Sequence, residues 1–157
     1  MNAPAHEMIL ASAGSGKTHA LTRRFVRLLA AGAPPERIVA LTFTRKAAGE
    51  FFDKILAALA AAALDDARAA TLAAEIGAPT ARRADFLRLL RATTEAMPRL
   101  SLGTLDGFFA RVVRAFPLEL GLDGEFQVME DAVARLERRR VLRGMFTTAG
   151  APDDAQR

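Results

Sequence analysis

The residues best suited to chemistry are Ala11-Ser12-Ala13-Gly14-Ser15-Gly16-Lys17-Thr18, which follow the short apolar run Ile9-Leu10. A phosphate tail needs several N–H donors converging on it, and a backbone supplies them only where side chains do not intrude. Ala13, Gly14, Ser15 and Gly16 are all small, so this loop can wrap an anion as a nest. A helix starting near Lys17 would present its positive end to the same anion. Lys17 then places a cation on the outer phosphates, and the Thr18 hydroxyl is placed to ligate Mg²⁺. This is the layout of a P-loop, G-x-x-x-x-G-K-[ST], with Ala11 where the first glycine usually stands. The plainer alternative is a small-residue turn before a helix. The P-loop reading predicts a nucleoside triphosphate with Mg²⁺ as ligand. It also predicts an α/β fold in which a strand feeds a helix within a parallel sheet covered by helices on both faces.

A second region, Ala40-Leu41-Thr42-Phe43-Thr44-Arg45-Lys46-Ala47-Ala48-Gly49-Glu50, gathers hydroxyls, an aromatic ring and two cations at the end of an apolar run. In open α/β sheets, ligands bind beyond the carboxyl ends of the strands. Hydroxyls and cations there suit phosphate contacts, and an exposed ring suits base stacking. On composition alone the better account is local: Thr44 as helix N-cap, with Arg45 and Lys46 as solvated charges.

The elements that must position these groups follow from periodicity. Met8 to Ala11 reads as a first strand. A helix is predicted over Thr18 to Ala31, with Leu21, Phe25 and Leu28 on one face and Arg23, Arg24 and Arg27 mostly on the other. Gly32 stops it and Pro34-Pro35 turns the chain. Ile38 to Phe43 reads as a strand buried on both faces, which completes a β-α-β unit. A helix over Lys46 to Leu64 follows, its apolar face lined by Ala48, Phe52, Ile55 and Leu59. Two Ala- and Arg-rich helices come next, Asp66 to Ile76 and Thr80 to Met97, split by Gly77 and Pro79 and read as a helical layer over the sheet. A strand at Leu100 to Gly103, a helix over Asp106 to Phe116 ended by Pro117, an extended Phe126 to Met129 and a helix over Asp131 to Phe146 complete the prediction. Gly150 to Arg157 has no apolar anchor and reads as frayed.

A chain of 157 residues with 51% hydrophobic residues suits one domain with a real core. Its net charge of +4 is mild support for a polyanionic partner, and fits a genome favouring Arg and Ala codons equally well. The absence of cysteine excludes disulfides, thiolate zinc and a Cys nucleophile within it. Two histidines, His6 and His19, are too few for a histidine metal site. The apolar runs at 8–13 and 55–64 are too short to span a membrane, so the reading is a soluble cytoplasmic protein.

A third stretch, Gly103-Thr104-Leu105-Asp106-Gly107-Phe108-Phe109-Ala110-Arg111-Val112-Val113-Arg114, completes a set. Together with 11–18 and 41–50, it resembles the first three motifs of the superfamily 1 DNA helicases of the UvrD/RecB type. There a strand ending in Thr-Phe-Thr precedes Lys-Ala-Ala and an acidic residue, and a Thr-x-His-Ser-Phe pattern leads into a helix with Arg. The segment 116–131 is similar to the continuation in the RecB and AddA nuclease-helicases, the group of exodeoxyribonuclease V beta subunits. The resemblance covers most of residues 8–146 in order. It implies a RecA-like P-loop NTPase motor domain, partial in this chain, over residues 1–116, and the start of an inserted helical subdomain over 117–157. It implies ATP and Mg²⁺ as cofactors, with Ala13, Gly14, Ser15, Gly16, Lys17 and Thr18 around them. It implies single-stranded DNA as partner, with Thr42, Phe43, Thr44 and Arg45 on its path, Phe43 in or near a base pocket, and Thr104 on the DNA backbone. The family's motor closes two RecA-like domains around ATP and so moves a single strand between them.

Two positions depart from the pattern. Asp106 stands where histidine is common; a carboxylate repels DNA phosphate, and Asp106 reads instead as a cap for a helix beginning at Gly107. No glutamine precedes Met8, so a glutamine contact selecting adenine is not expected. Hydrolysis also needs a carboxylate pair for Mg²⁺ and water, and usually an arginine. Glu130-Asp131 has the reversed order and falls before the family's acidic motif. The chain therefore reads as the ATP-binding N-terminal piece of a longer DNA helicase or helicase-nuclease of repair or recombination. Alone it is expected to bind nucleotide weakly, to turn none over at a useful rate, and to self-associate through an open sheet edge. Two rivals stand beside this reading. One is a small P-loop kinase with Arg82, Arg83, Arg88 and Arg91 as a lid, although these fit a solvated helix face better. The other is a non-catalytic nucleic-acid-binding module with a vestigial P-loop.

Overall fold

The structure, a computed structural model, describes residues 6–9, 16–122 and 126–148. It contains two compact units, Met1–Arg111 and Val112–Arg157. In the first, helix α1 (Lys17–Ala30) is followed by a 3₁₀ turn at Pro35–Arg37 and strand β1 (Val39–Thr42). Helices α2 (Arg45–Leu64), α3 (Asp66–Glu75) and α4 (Arg83–Glu95) come next, then strand β2 (Ser101–Thr104) and helix α5 (Leu105–Ala115), whose last turn from Val112 falls in the second unit. Helix α6 (Asp131–Thr148) belongs to the second unit.

The two strands pair in parallel, Val39 with Ser101 through Thr42 with Thr104. Parallel strands need a long crossover, and here α2, α3 and α4 supply it. β1 is not buried on both faces as predicted: its residues alternate exposed and half-buried, with Val39 51% exposed. The reason is that among the described residues the sheet has only two strands, so each strand is an edge. The expected first strand is also not borne out at Met8 and Ile9, which carry no strand and are exposed; Leu10 and Ala11 lie outside the described residues. Phe126 to Met129 forms no strand, and residues 150–157 lie outside the described residues.

The core lies in the helices. Phe25, Val26 and Leu29 of α1 meet Ile55, Leu59 and Ala62 of α2, Leu72 and Ala73 of α3 and Phe86 of α4 in one buried cluster. The buried stripe of α1 is therefore Thr22-Phe25-Val26-Leu29, rotated from the expected Leu21-Phe25-Leu28; Leu21 is 50% exposed. Thr22 can be buried because its hydroxyl donates to the Thr18 carbonyl at 2.8 Å. On α2, Phe51 rather than Phe52 makes the aromatic contact, edge-on to Phe25 with ring centroids 6.0 Å apart. Ala-rich surfaces let α3 and α4 pack against α2, and an Arg23–Glu75 ion pair ties α1 to α3.

Helix ends are set by local chemistry. Gly32 and Gly77 adopt positive φ, 89° and 69°, just past α1 and α3, the left-handed region in which glycine avoids the Cβ penalty. Asp65 caps α3, accepting from the Arg68 N–H at 2.8 Å. At α4 the Asp85 carboxylate accepts from the Arg82 backbone N–H at 2.8 Å. That hydrogen bond, and then the ion pair with Arg88, hold the Asp85 carboxyl below the ordinary aspartate range. A depressed carboxyl contributes stability that is present above its unfolded pKa and is lost as pH falls through the folded one. Acid titration by NMR is thus expected to show Asp85 protonating below the ordinary aspartate range, with the Arg82 amide resonance shifting in step. An Asp85→Asn chain is expected to lose that amide shift.

Candidate nucleotide and nucleic-acid interface

Three helices begin at groups singled out in the sequence, and they begin differently. α1 starts at Lys17 directly after Gly16, whose φ of 81° lies in the left-handed region. Among the described residues a Cβ there would meet nothing within 4 Å, so the demand for glycine is one of backbone conformation, worth about 1–2 kcal/mol against an L side chain. The α1 cap carries no side-chain hydrogen bond among the described residues, and its first turn has no acidic residue. A helix start of this kind, with Lys17 and Thr18 as its first residues, leaves its positive end to an anion rather than to a protein carboxylate. The residues present thus fit a polyphosphate with Mg²⁺: Lys17 is exposed, and Thr18 is half-buried. Ala13, Gly14 and Ser15 lie outside the described residues.

The starts of α2 and α5 are capped by threonine. Thr44 follows β1 by two residues, and its hydroxyl accepts from the Ala47 N–H at 3.1 Å. Thr104 is the last residue of β2, and its hydroxyl accepts from the Gly107 N–H, also at 3.1 Å. Asp106 is therefore not the α5 cap expected from the sequence; the helix starts earlier, at Leu105, and Thr104 occupies the capping position. Physically, Thr104 ends a strand in extended backbone, which is what a cap requires, whereas Asp106 already lies within the helix. Thr104→Ala is expected to cost about 1 kcal/mol of stability, and Asp106→Ala much less; chemical denaturation of the two variants checks the order.

A capping hydroxyl still has its own proton to donate. At both strand ends a threonine O–H therefore stands beside a helix N-terminus, a pairing suited to a phosphate oxygen. Thr42 and Thr104 are register partners, so the sheet aligns the two strand ends. Phe43 is 87% exposed between β1 and α2, and Arg45 is the exposed first residue of α2. Lys46 lies 3.9 Å from Glu50, an exposed pair of little energetic weight.

Thr18 and Thr42 share the wall of one cavity of about 370 Å³ with Gly103, and the apolar side chains Leu21, Phe25 and Phe51 also line it. The structure thus brings the first turn of α1 to the carboxyl ends of β1 and β2. Sequence reasoning missed this apolar cavity and the Thr104 cap. The Thr-x-x-Gly spacing at 104–107 was the signal for the cap. The four arginines read as a possible lid lie on the exposed start and face of α4: Arg83 reaches the Ala63 carbonyl and Asp66, and Arg88 pairs with Asp85.

A helical layer over a small parallel sheet, with a Gly-Lys-Thr helix start, defines a class, and comparison with known proteins gives the family. Residues 3–154 match the UvrD/REP helicase N-terminal domain, and the chain belongs to that family. It is 30% identical over 145 residues to an ATP-dependent helicase/nuclease subunit from Lactobacillus helveticus, a match covering 91% of this chain and 11% of the relative. The corresponding ATP-dependent helicase/nuclease subunits from Streptococcus equi subsp. zooepidemicus and Desulforudis audaxviator are 29% and 28% identical, each over 88% of this chain and 10% of the relative. The chain thus spans about a tenth of the length of these relatives. No solved structure matches it. No helix among the described residues is long and apolar enough to cross a membrane.

Proposed function

We propose that this chain is the ATP-binding front part of a RecA-like motor domain in an ATP-dependent DNA helicase or helicase-nuclease that moves along single-stranded DNA. The observation that carries the proposal is the start of α1: a left-handed Gly16, then Lys17 and Thr18, with no protein side chain capping the helix among the described residues. In this reading Ala13 to Gly16 wrap the phosphates, Lys17 neutralises the outer ones, and Thr18 ligates Mg²⁺. When bound, ATP with Mg²⁺ supplies the free energy of phosphoryl transfer. Thr42, Phe43, Thr44, Arg45 and Thr104 form the DNA path, with Phe43 offering a face to a base and the two capping threonines donating to phosphate.

Membership of the helicase family, and the ATP-dependent helicase/nuclease activity for which the relatives are named, support this reading over a kinase. It carries with it a division near residue 116, with the helical subdomain beginning beyond it, action in the cytoplasm, and a partner in the remainder of a longer protein. The exposed β1 edge, with Val39 and Leu41 at 51% and 38% exposure, supports self-association of the chain when that remainder is missing.

The test is fluorescence anisotropy of labelled oligo-dT against the 157-residue chain over a salt series, with and without Mg·ATP. Saturable binding that weakens steeply with salt and responds to nucleotide is the expected result. Absence of nucleotide binding by the unmutated chain, with DNA binding intact, would instead favour a vestigial P-loop.

A further inference from the structure

Helix α6 carries five arginines and no lysine, Arg135, Arg138, Arg139, Arg140 and Arg143. Their arrangement is not uniform. At 3.6 residues per turn, Arg135, Arg139 and Arg143 fall within an arc of about 80°, and Phe146 enters the same arc three turns after Arg135. All four side chains are exposed, Phe146 by 76%. Within that arc no carboxylate intervenes: Glu137 lies well outside it and pairs with Arg140 at 3.7 Å. The opposite side of the helix holds Val133, Val141 and Met145. The two half-buried side chains of α6, among those described, are Ala134 and Glu137, also on that side. The exposed Leu136 and Leu142 border the arginine arc on either edge, and the half-buried positions lie on the side turned from it.

We propose that the Arg135-Arg139-Arg143 stripe is a second binding site for the phosphate backbone of single-stranded nucleic acid, with Phe146 as a stacking platform at its end. Successive arginines four residues apart are separated by about 6 Å along the axis, comparable to the spacing of phosphates along a single strand. Guanidinium groups suit phosphate because the planar fork donates two parallel hydrogen bonds, and they also stack on bases. A row of cations ending in an exposed aromatic ring is the composition of single-strand grooves, where the charge tracks the backbone and the ring takes a base. The stripe belongs to the second unit, and the proposal does not depend on the P-loop or on the threonine caps.

The same salt titration with oligo-dT tests it, using Arg135→Gln/Arg139→Gln, Phe146→Ala and, as a control outside the stripe, Arg91→Gln on the exposed face of α4. The exposed positions should leave far-ultraviolet circular dichroism unchanged. The double variant is expected to bind roughly tenfold more weakly at about 50 mM salt, with the slope of log K against log salt shallower by about 1.4. Phe146→Ala should bind at least about fivefold more weakly with its slope unchanged, and Arg91→Gln should bind oligo-dT as the parent chain does. The proposal is overturned if the double variant keeps both affinity and slope, which would leave the strand-end threonines as the DNA contact. It is overturned equally if the unmutated chain binds no oligo-dT at low salt, or if Arg135 and Arg139 govern binding to phosphatidylserine vesicles and not to oligo-dT.

Discussion

A Lys17→Ala chain is expected to lose about 1.5–3 kcal/mol of Mg·ATP binding, a weakening of roughly 10- to 150-fold, the range of a hydrogen bond to a charged group. The magnitude follows from the position. Lys17 is the exposed first residue of α1, so its ammonium adds a point charge to a helix end already favourable to anions. It makes no part of the buried cluster, so the fold should tolerate its removal, and thermal unfolding without nucleotide should be nearly unchanged. Titration with a fluorescent ATP analogue reads the effect. Retention of full affinity would place the polyphosphate elsewhere and sink the P-loop reading of 11–18. Gly16→Ala should weaken binding for a different reason, through backbone strain at a positive φ, and should also lower stability by about 1–2 kcal/mol.

Phe86→Ala is expected to cost about 3–5 kcal/mol of stability, the range for removing a fully buried aromatic side chain. Phe86 is fully buried on α4, in one cluster with Ile55 and Leu59 of α2. Set against a total stability of about 5–15 kcal/mol for an ordinary domain, the loss brings the first unit close to unfolding. Urea denaturation should show a much lower midpoint with little change in slope. Leu64→Ala provides the contrast. Leu64 ends α2 and is 76% exposed, so its truncation should stay within about 0.5 kcal/mol. Equal losses for the two variants would mean that the α2–α4 packing is not what holds the unit together.

These two predictions rest on different kinds of legibility. The helices were readable because their signals are local: 3.6-residue apolar periodicity, Gly32 and Gly77 as stops, Pro34-Pro35 as a turn, and Thr44 as a cap that the structure confirms through the Ala47 N–H. The family was readable because three motifs occur in order, and the match over residues 3–154 agrees. The faces were read less well. Leu21, Leu28 and Phe52 satisfy helical periodicity as well as Val26, Leu29 and Phe51 do, and periodicity cannot choose between adjacent stripes of an Ala-rich helix. The choice was made by what each helix meets: Phe25 and Phe51 touch, and Thr22 can be buried only because its hydroxyl is satisfied within α1.

Residue order was enough to establish the succession of helices, the glycine needed before Lys17 and the family. These depend on residue type at short range, or on motifs that recur in a fixed order. Packing in three dimensions was needed to show that β1 is half-exposed rather than buried, because burial of a strand depends on how many strands flank it, which no local pattern records. It was needed to show that Thr104, not Asp106, caps α5, because capping depends on where the strand stops and the helical backbone begins. And it set Thr18 beside Thr42 and Gly103 on one cavity wall, because residues far apart in the chain become neighbours only when the helices bury their shared apolar surface.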